Sequence, residues 1–181
     1  LDGESGNIGH QLAEKMISGK YLPQMARLLV KDLVKKEKLF GGRLPEIFRH
    51  KDTFKAWYMD VFEAGSEKEV NKVAREIFGK ALTTEERLVL ALVCHAVARR
   101  SARIAAALIA GSLTMGERRA AGKATVAIDG ALFEKYPGYH RMLEEAIHEL
   151  EGSAAKGISL KLTKDGSGIG AAVIAAVVSA N

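Results

Sequence analysis

The chain has 181 residues, 48% of them apolar and 27% charged, with a formal net charge of +5. A domain of this length hides ~70% of its unfolded surface, so one sizeable core is within reach. The single cysteine, Cys94, excludes an internal disulfide framework and is compatible with a reducing compartment.

In chain order, a helical stretch is expected from about Gly9 to Lys38, with a kink or break near Gly19 because Gly19 and Pro23 interrupt it. The densest basic cluster, Lys31 to Lys38, does not make a nucleic-acid binder. Leu28, Leu29, Leu33 and Val34 keep helical spacing within it, so its lysines form the wet face of an amphipathic helix. Ser66-Glu67-Lys68-Glu69 has the pattern of a capping box. It opens a helix with Val70, Val73, Ala74 and Ile77 on one face, ended by Gly79. Thr83-Thr84-Glu85-Glu86 opens the next helix. That helix runs toward Gly111, is apolar on most faces and is expected to be buried, with Cys94 as a small interior hydrophobe. Arg99, Arg100 and Arg103 interrupt its apolar run, and the terminal run from Ile169 to Ala180 is too short to cross a bilayer. A soluble, cytoplasmic protein is the expectation.

The last third changes character. The β-branched run Ala124-Thr125-Val126-Ala127-Ile128 ends at Asp129-Gly130, and a second candidate strand, Gly157 to Thr163, leads into the turn Lys164-Asp165-Gly166-Ser167-Gly168. Between them lies the amphipathic stretch Tyr139 to Glu151, so the order is strand, helix, strand, helix: a βαβ-type unit in an α/β architecture. Open α/β sheets bind ligands beyond the carboxyl ends of their strands, and both glycine turns stand there. Gly166, Gly168 and Gly170 line the entry to an Ala/Val-rich helix whose first N–H groups lack intrahelical partners, a seat suited to phosphate.

The front of the chain, Asn7-Ile8-Gly9-His10-Gln11 followed by Glu14-Lys15-Met16-Ile17-Ser18-Gly19 and Tyr21-Leu22, strongly resembles the hexokinase family. Leu39-Phe40-Gly41-Gly42, Ala98 to Arg103, Val126 to Gly130 with Tyr136-Pro137-Gly138-Tyr139, and Asp165 to Ala172 resemble later motifs of that family, in the same order. The resemblance implies an actin-like ATPase (RNase H-like) fold: part of the hexokinase large domain, carrying helical insertions. No stretch resembles the family's Gly-Gly-Thr-Asn phosphate loop, its Phe-Ser-Phe-Pro segment or the Asn-Asp-Thr that carries the catalytic Asp. The expectation is therefore a C-terminal hexokinase segment over residues 1–181 that works with an N-terminal half, and is inactive alone.

The activity implied is ATP-dependent phosphorylation of glucose or a related hexose at the 6-hydroxyl. By resemblance Glu14 accepts hydrogen bonds from sugar hydroxyls. Gln11, at i−3, is expected on the same helix face. The resemblance places Gly19 and Lys20 beside the nucleotide, Gly130 and Ala131 at the adenosine, and Gly166, Ser167 and Gly168 near its phosphates. Ala56 and Asp60 stand where relatives carry hydroxyl residues at the nucleotide; Ala131 and Glu134 stand where many carry Ser or Thr and Lys. These departures bear on ATP affinity. No histidine pair has ligand spacing, so Mg2+ is expected to arrive with ATP. A hexokinase-like sugar sensor without catalysis is the alternative; a chaperone-like ATPase of the same fold would not need the Gln11/Glu14 pair.

Overall fold

The computed structural model describes residues 1–37, 39–115, 122–136 and 138–179; Lys38, Pro137 and Ala180 of the stretches above lie outside them. The first helical stretch is divided, as its glycine and proline require, into α1 (Leu12–Ile17) and α2 (Leu22–Glu37). Pro23 falls in the first turn of α2, where a missing N–H leaves no hydrogen bond unmade. After α3 (Ala56–Ala64) comes α4 (Glu67–Phe78), opened by the capping box: the Glu69 carboxylate accepts the Ser66 N–H at 2.8 Å, and Ser66 Oγ accepts the Glu69 N–H. Gly79 ends it with φ +68°, a left-handed value that glycine takes without a Cβ clash. Thr83 and Glu86 repeat the reciprocal pairing, at 2.8 and 3.1 Å, to start α5 (Thr84–Met115).

α5 is the spine. Leu90, Val93, Cys94, Val97, Ala98, Ala102 and Ala106 lie buried along it, and α2, α3 and the later helix Tyr139–Glu151 pack against it. Its expected burial on most faces is corrected, because Leu88, Leu92 and Leu108 are about half exposed. The neighbouring helices cover only the arc that carries the buried set, and these leucines lie outside it. Phe40, Phe48, Phe54, Phe62 and Phe78 interlock with ring centroids 5.1 to 6.3 Å apart, joining the loop before α3 to α3 and α4.

β1 (Ala124–Ile128) and β2 (Ile158–Leu162) pair in parallel, in register from Ala124 opposite Ile158 to Ile128 opposite Leu162. They are joined by α6 (Ala131–Lys135), α7 (Tyr139–Glu151) and a 3-10 turn, Gly152–Gly157, and β2 runs on to α8 (Gly166–Ser179). The βαβ order read from sequence is present, with α6 as an added turn of helix. Among the described residues no helix is long and apolar enough to cross a membrane.

Candidate active site

One wall of the site is made by α1 and the turn after it. The loop before α1 is stapled by Lys15, which is buried and donates to Asp2 Oδ1 at 2.5 Å and to the Asn7 carbonyl at 2.6 Å. Asp2 also accepts the Gly9 N–H at 3.0 Å, and the Lys15 ammonium beside it, with that N–H, holds its carboxyl below the usual range. Gln11 is not part of the helix. It takes a left-handed conformation (φ 50°, ψ 41°) as the residue before α1, and its side chain pairs with Asn7. The shared face expected for Gln11 and Glu14 therefore does not form, because i, i+3 geometry holds only when both residues are helical. Glu14 itself projects from α1 into a cavity.

The second wall begins where β1 empties at Asp129-Gly130. Asp129 Oδ2 accepts the Gly166 N–H at 3.1 Å, so the two glycine turns meet at the carboxyl ends of the paired strands. Lys164 and Glu134 form an ion pair at 3.0 Å across the same junction, which holds the Glu134 carboxyl down. Gly166 and Gly168 are exposed in the first turn of α8, with Ser167 between them on the backbone. Asp165 has φ +54°, and its carboxylate lies beside Gly168: a Cβ added there would meet its oxygens at 2.5 and 2.8 Å. Two carboxylates thus flank the expected phosphate seat.

The walls face one another across a cavity of about 680 Å³. Glu14, Gly19 and Lys20 line one side and Asp129, Gly130, Ala131 and Leu132 the other. The approach is close, since a Cβ on Gly19 would sit 3.5 Å from Leu132 Cβ. Both walls hang on α5 through Ser101, which is fully buried and donates to the Ile17 carbonyl at 3.1 Å. Its one proton used, Ser101 Oγ accepts from Tyr139 OH at 2.8 Å. Sequence reasoning missed Ser101, Tyr139 and the bridging role of Asp129; only the Asp-Gly turn signal pointed to the last.

The family model for hexokinase matches residues 1–177. The chain belongs to the hexokinase family. It is 35% identical over 187 residues to Hexokinase-7 of Oryza sativa subsp. japonica, covering 99% of this chain and 40% of that protein. It is 36% identical over 181 residues to Hexokinase-2 of Schizosaccharomyces pombe, covering 97% and 38%. A hexokinase of Schistosoma mansoni, solved in complex with glucose, superposes with a TM-score of 0.80 at 29% identity over 97% of this chain and 40% of that one. The chain spans about two fifths of the length of these two curated relatives. Its small parallel sheet and flanking helices are part of the actin-like ATPase fold of the hexokinases. Some relatives are chloroplastic, such as Hexokinase-2 of Nicotiana tabacum.

Of the remaining hexokinase-type positions, Ala56 is exposed at the start of α3 and Asp60 lies one turn on; neither lines the cavity. Asp60 Oδ1 is shielded from solvent and has no hydrogen-bond partner among the described residues. Burial, then the neighbouring Glu63 charge, pushes the Asp60 carboxyl up from 3.8 to about 6. Because the folded value lies above the unfolded one, the penalty is full above about pH 6 and fades as pH falls toward 3.8. The shift corresponds to about 3 kcal/mol, reduced by solvent screening to about 1–2 kcal/mol. Asp60→Asn is expected to raise the melting temperature at pH 7 by about 2–6 °C and to leave it nearly unchanged at pH 4. Paired melts at the two pH values check this; equal gaps at both would overturn it.

Proposed function

We propose that this chain is the C-terminal segment, mainly large domain, of a hexokinase that transfers the γ-phosphoryl group of Mg-ATP to the 6-hydroxyl of glucose or a related hexose. The observation that carries the reading is the single cavity into which Glu14, Gly19, Lys20, Gly130 and Ala131 converge at the end of β1. The glucose complex of the Schistosoma mansoni relative supports the sugar class.

In this reading Glu14 accepts hydrogen bonds from sugar hydroxyls, as a charged acceptor fixed on a helix does well. Gln11 assists from the turn before it. Gly130 and Ala131 receive the adenosine, with Gly19 and the Lys20 ammonium on the facing wall. Ser167 and Gly168 offer the N–H groups of the first turn of α8 to the phosphates, and Gly166, whose own N–H is held by Asp129, leaves room for them to approach the backbone. Asp165 must swing aside, which a terminal carboxylate does at little cost. Ala56 and Asp60 stand outside the cavity, and above about pH 6 the Asp60 carboxylate is charged. Among the described residues no group of three His, Cys, Asp or Glu could hold a metal. In this reading the magnesium ion is carried on the ATP phosphates, where it would neutralise charge that builds during transfer. The proton acceptor for the sugar hydroxyl comes from the N-terminal half, given that this chain matches two fifths of its relatives.

The two carboxylates at the phosphate seat favour a second reading, a glucose-binding sensor that does not turn over. Glucose 6-phosphate formation separates the two. The full-length protein is expected to phosphorylate glucose with Mg-ATP. The 181-residue chain alone is expected to be slower by at least ~10²–10⁴, the usual loss without a general base. Glucose binding by the full-length protein without turnover would establish the sensor, and ordinary turnover by the isolated chain would overturn the two-part reading.

A further inference from the structure

α6 carries the nucleotide wall, yet it has only five residues and packs chiefly on α7. A helix this short does not hold its own position. Its last contact is Tyr136, which does two things at once. The Tyr136 N–H closes α6 on the Leu132 carbonyl at 3.1 Å, and the buried Tyr136 hydroxyl donates to Glu63 Oε2 on α3. The other oxygen of Glu63 pairs with His95 Nδ1 of α5 at 3.0 Å. One carboxylate, itself mostly buried, therefore joins α3, α5 and the end of α6. Asp60 on α3 and Cys94 on α5 are the other titratable groups facing this point, and neither competes for the bond. Burial, reinforced by the Glu63 charge, pushes the Tyr136 phenol up, so it stays protonated and remains the donor.

We propose that Glu63 is a positioning residue for the nucleotide side of the site: by holding Tyr136 it fixes α6, and with it Gly130 and Ala131, against the Gly19-Lys20 wall. The inference rests on the kinase reading for its consequence, but the clasp itself does not.

In the full-length protein Tyr136→Phe and Glu63→Ala are each expected to raise the KM for ATP about tenfold, with the KM for glucose unchanged; a hydrogen bond to a charged group is of that order. Glu63→Gln keeps an acceptor for Tyr136 and is expected to stay within about threefold of the unsubstituted protein. The Glu63→Ala, Tyr136→Phe double variant should be no worse than the worse single one, because both cut the same link. An unchanged KM for ATP, an equal rise for glucose, or Glu63→Gln as damaged as Glu63→Ala would overturn the proposal. Amide exchange over residues 131–135 separates its failure from that of the kinase reading. If the unsubstituted protein uses no ATP, the kinase reading falls. Faster exchange in Tyr136→Phe confined to α6 would still support the clasp, and unchanged exchange would remove it.

Discussion

Glu14→Ala in the full-length protein is expected to weaken glucose binding roughly 10- to 150-fold, the range of a charge-assisted hydrogen bond worth ~1.5–3 kcal/mol. Glu14 is exposed on α1 and projects into the cavity, so truncation removes an acceptor without opening a hole in the core. The hydrogen bond from the Ser18 N–H to the Glu14 carbonyl that ends α1 belongs to the backbone and survives the change. Stability should therefore move by no more than about 0.5 kcal/mol, as at most surface positions. Glu14→Gln keeps an acceptor oxygen but not the charge, and should lose less. Glucose titration with a parallel thermal melt measures both quantities. Native affinity in a folded Glu14→Ala protein would show that this carboxylate does not touch the sugar.

Gly157→Ala, at the end of the 3-10 turn that leads into β2, is expected to cost more stability than Gly168→Ala at the start of α8. A Cβ on Gly157 would run into the Gly122 carbonyl oxygen and sit 3.1 Å from its carbon. Both are backbone atoms at the start of the β1–β2 pairing, so no side chain can swing away to relieve the contact. Overpacking of this kind costs about 1–3 kcal/mol, which for a chain of this size lowers the melting temperature by about 3–10 °C. Gly168→Ala offers a contrast. There the Cβ meets only the movable carboxylate of Asp165, and the melt should hardly change. If the two substitutions cost the same, the backbone clash at Gly157 is not what limits it.

Much of the local structure was legible. The Ser66–Glu69 box, the Gly79 stop, the break at Gly19 and the helix Tyr139–Glu151 all follow from interactions within a few residues, which a sequence displays directly. The parallel pair was legible as two β-branched runs separated by an amphipathic helix. The extent of α5 burial was not, since apolar content says how much surface a helix would bury and not which neighbours arrive to cover it.

The sequence by itself determined the family, through motifs in fixed order, and the Asp129-Gly130 turn, where Gly130 takes a positive φ; in the second turn the left-handed residue is Asp165, and Gly166 and Gly168 are already helical. Only the tertiary structure decided that the Asp129 carboxylate ties the two turns together, that Gln11 leaves the helix face of Glu14, and that Asp60 stands outside the cavity where the Glu63 charge acts on it. Residues 129 and 166, or 63 and 136, meet across 37 and 73 positions of sequence, and which partners meet is set by packing on α5 rather than by any local pattern. A short-range rule sees a carboxylate, but the shape of the packed chain selects the proton donor that it finds.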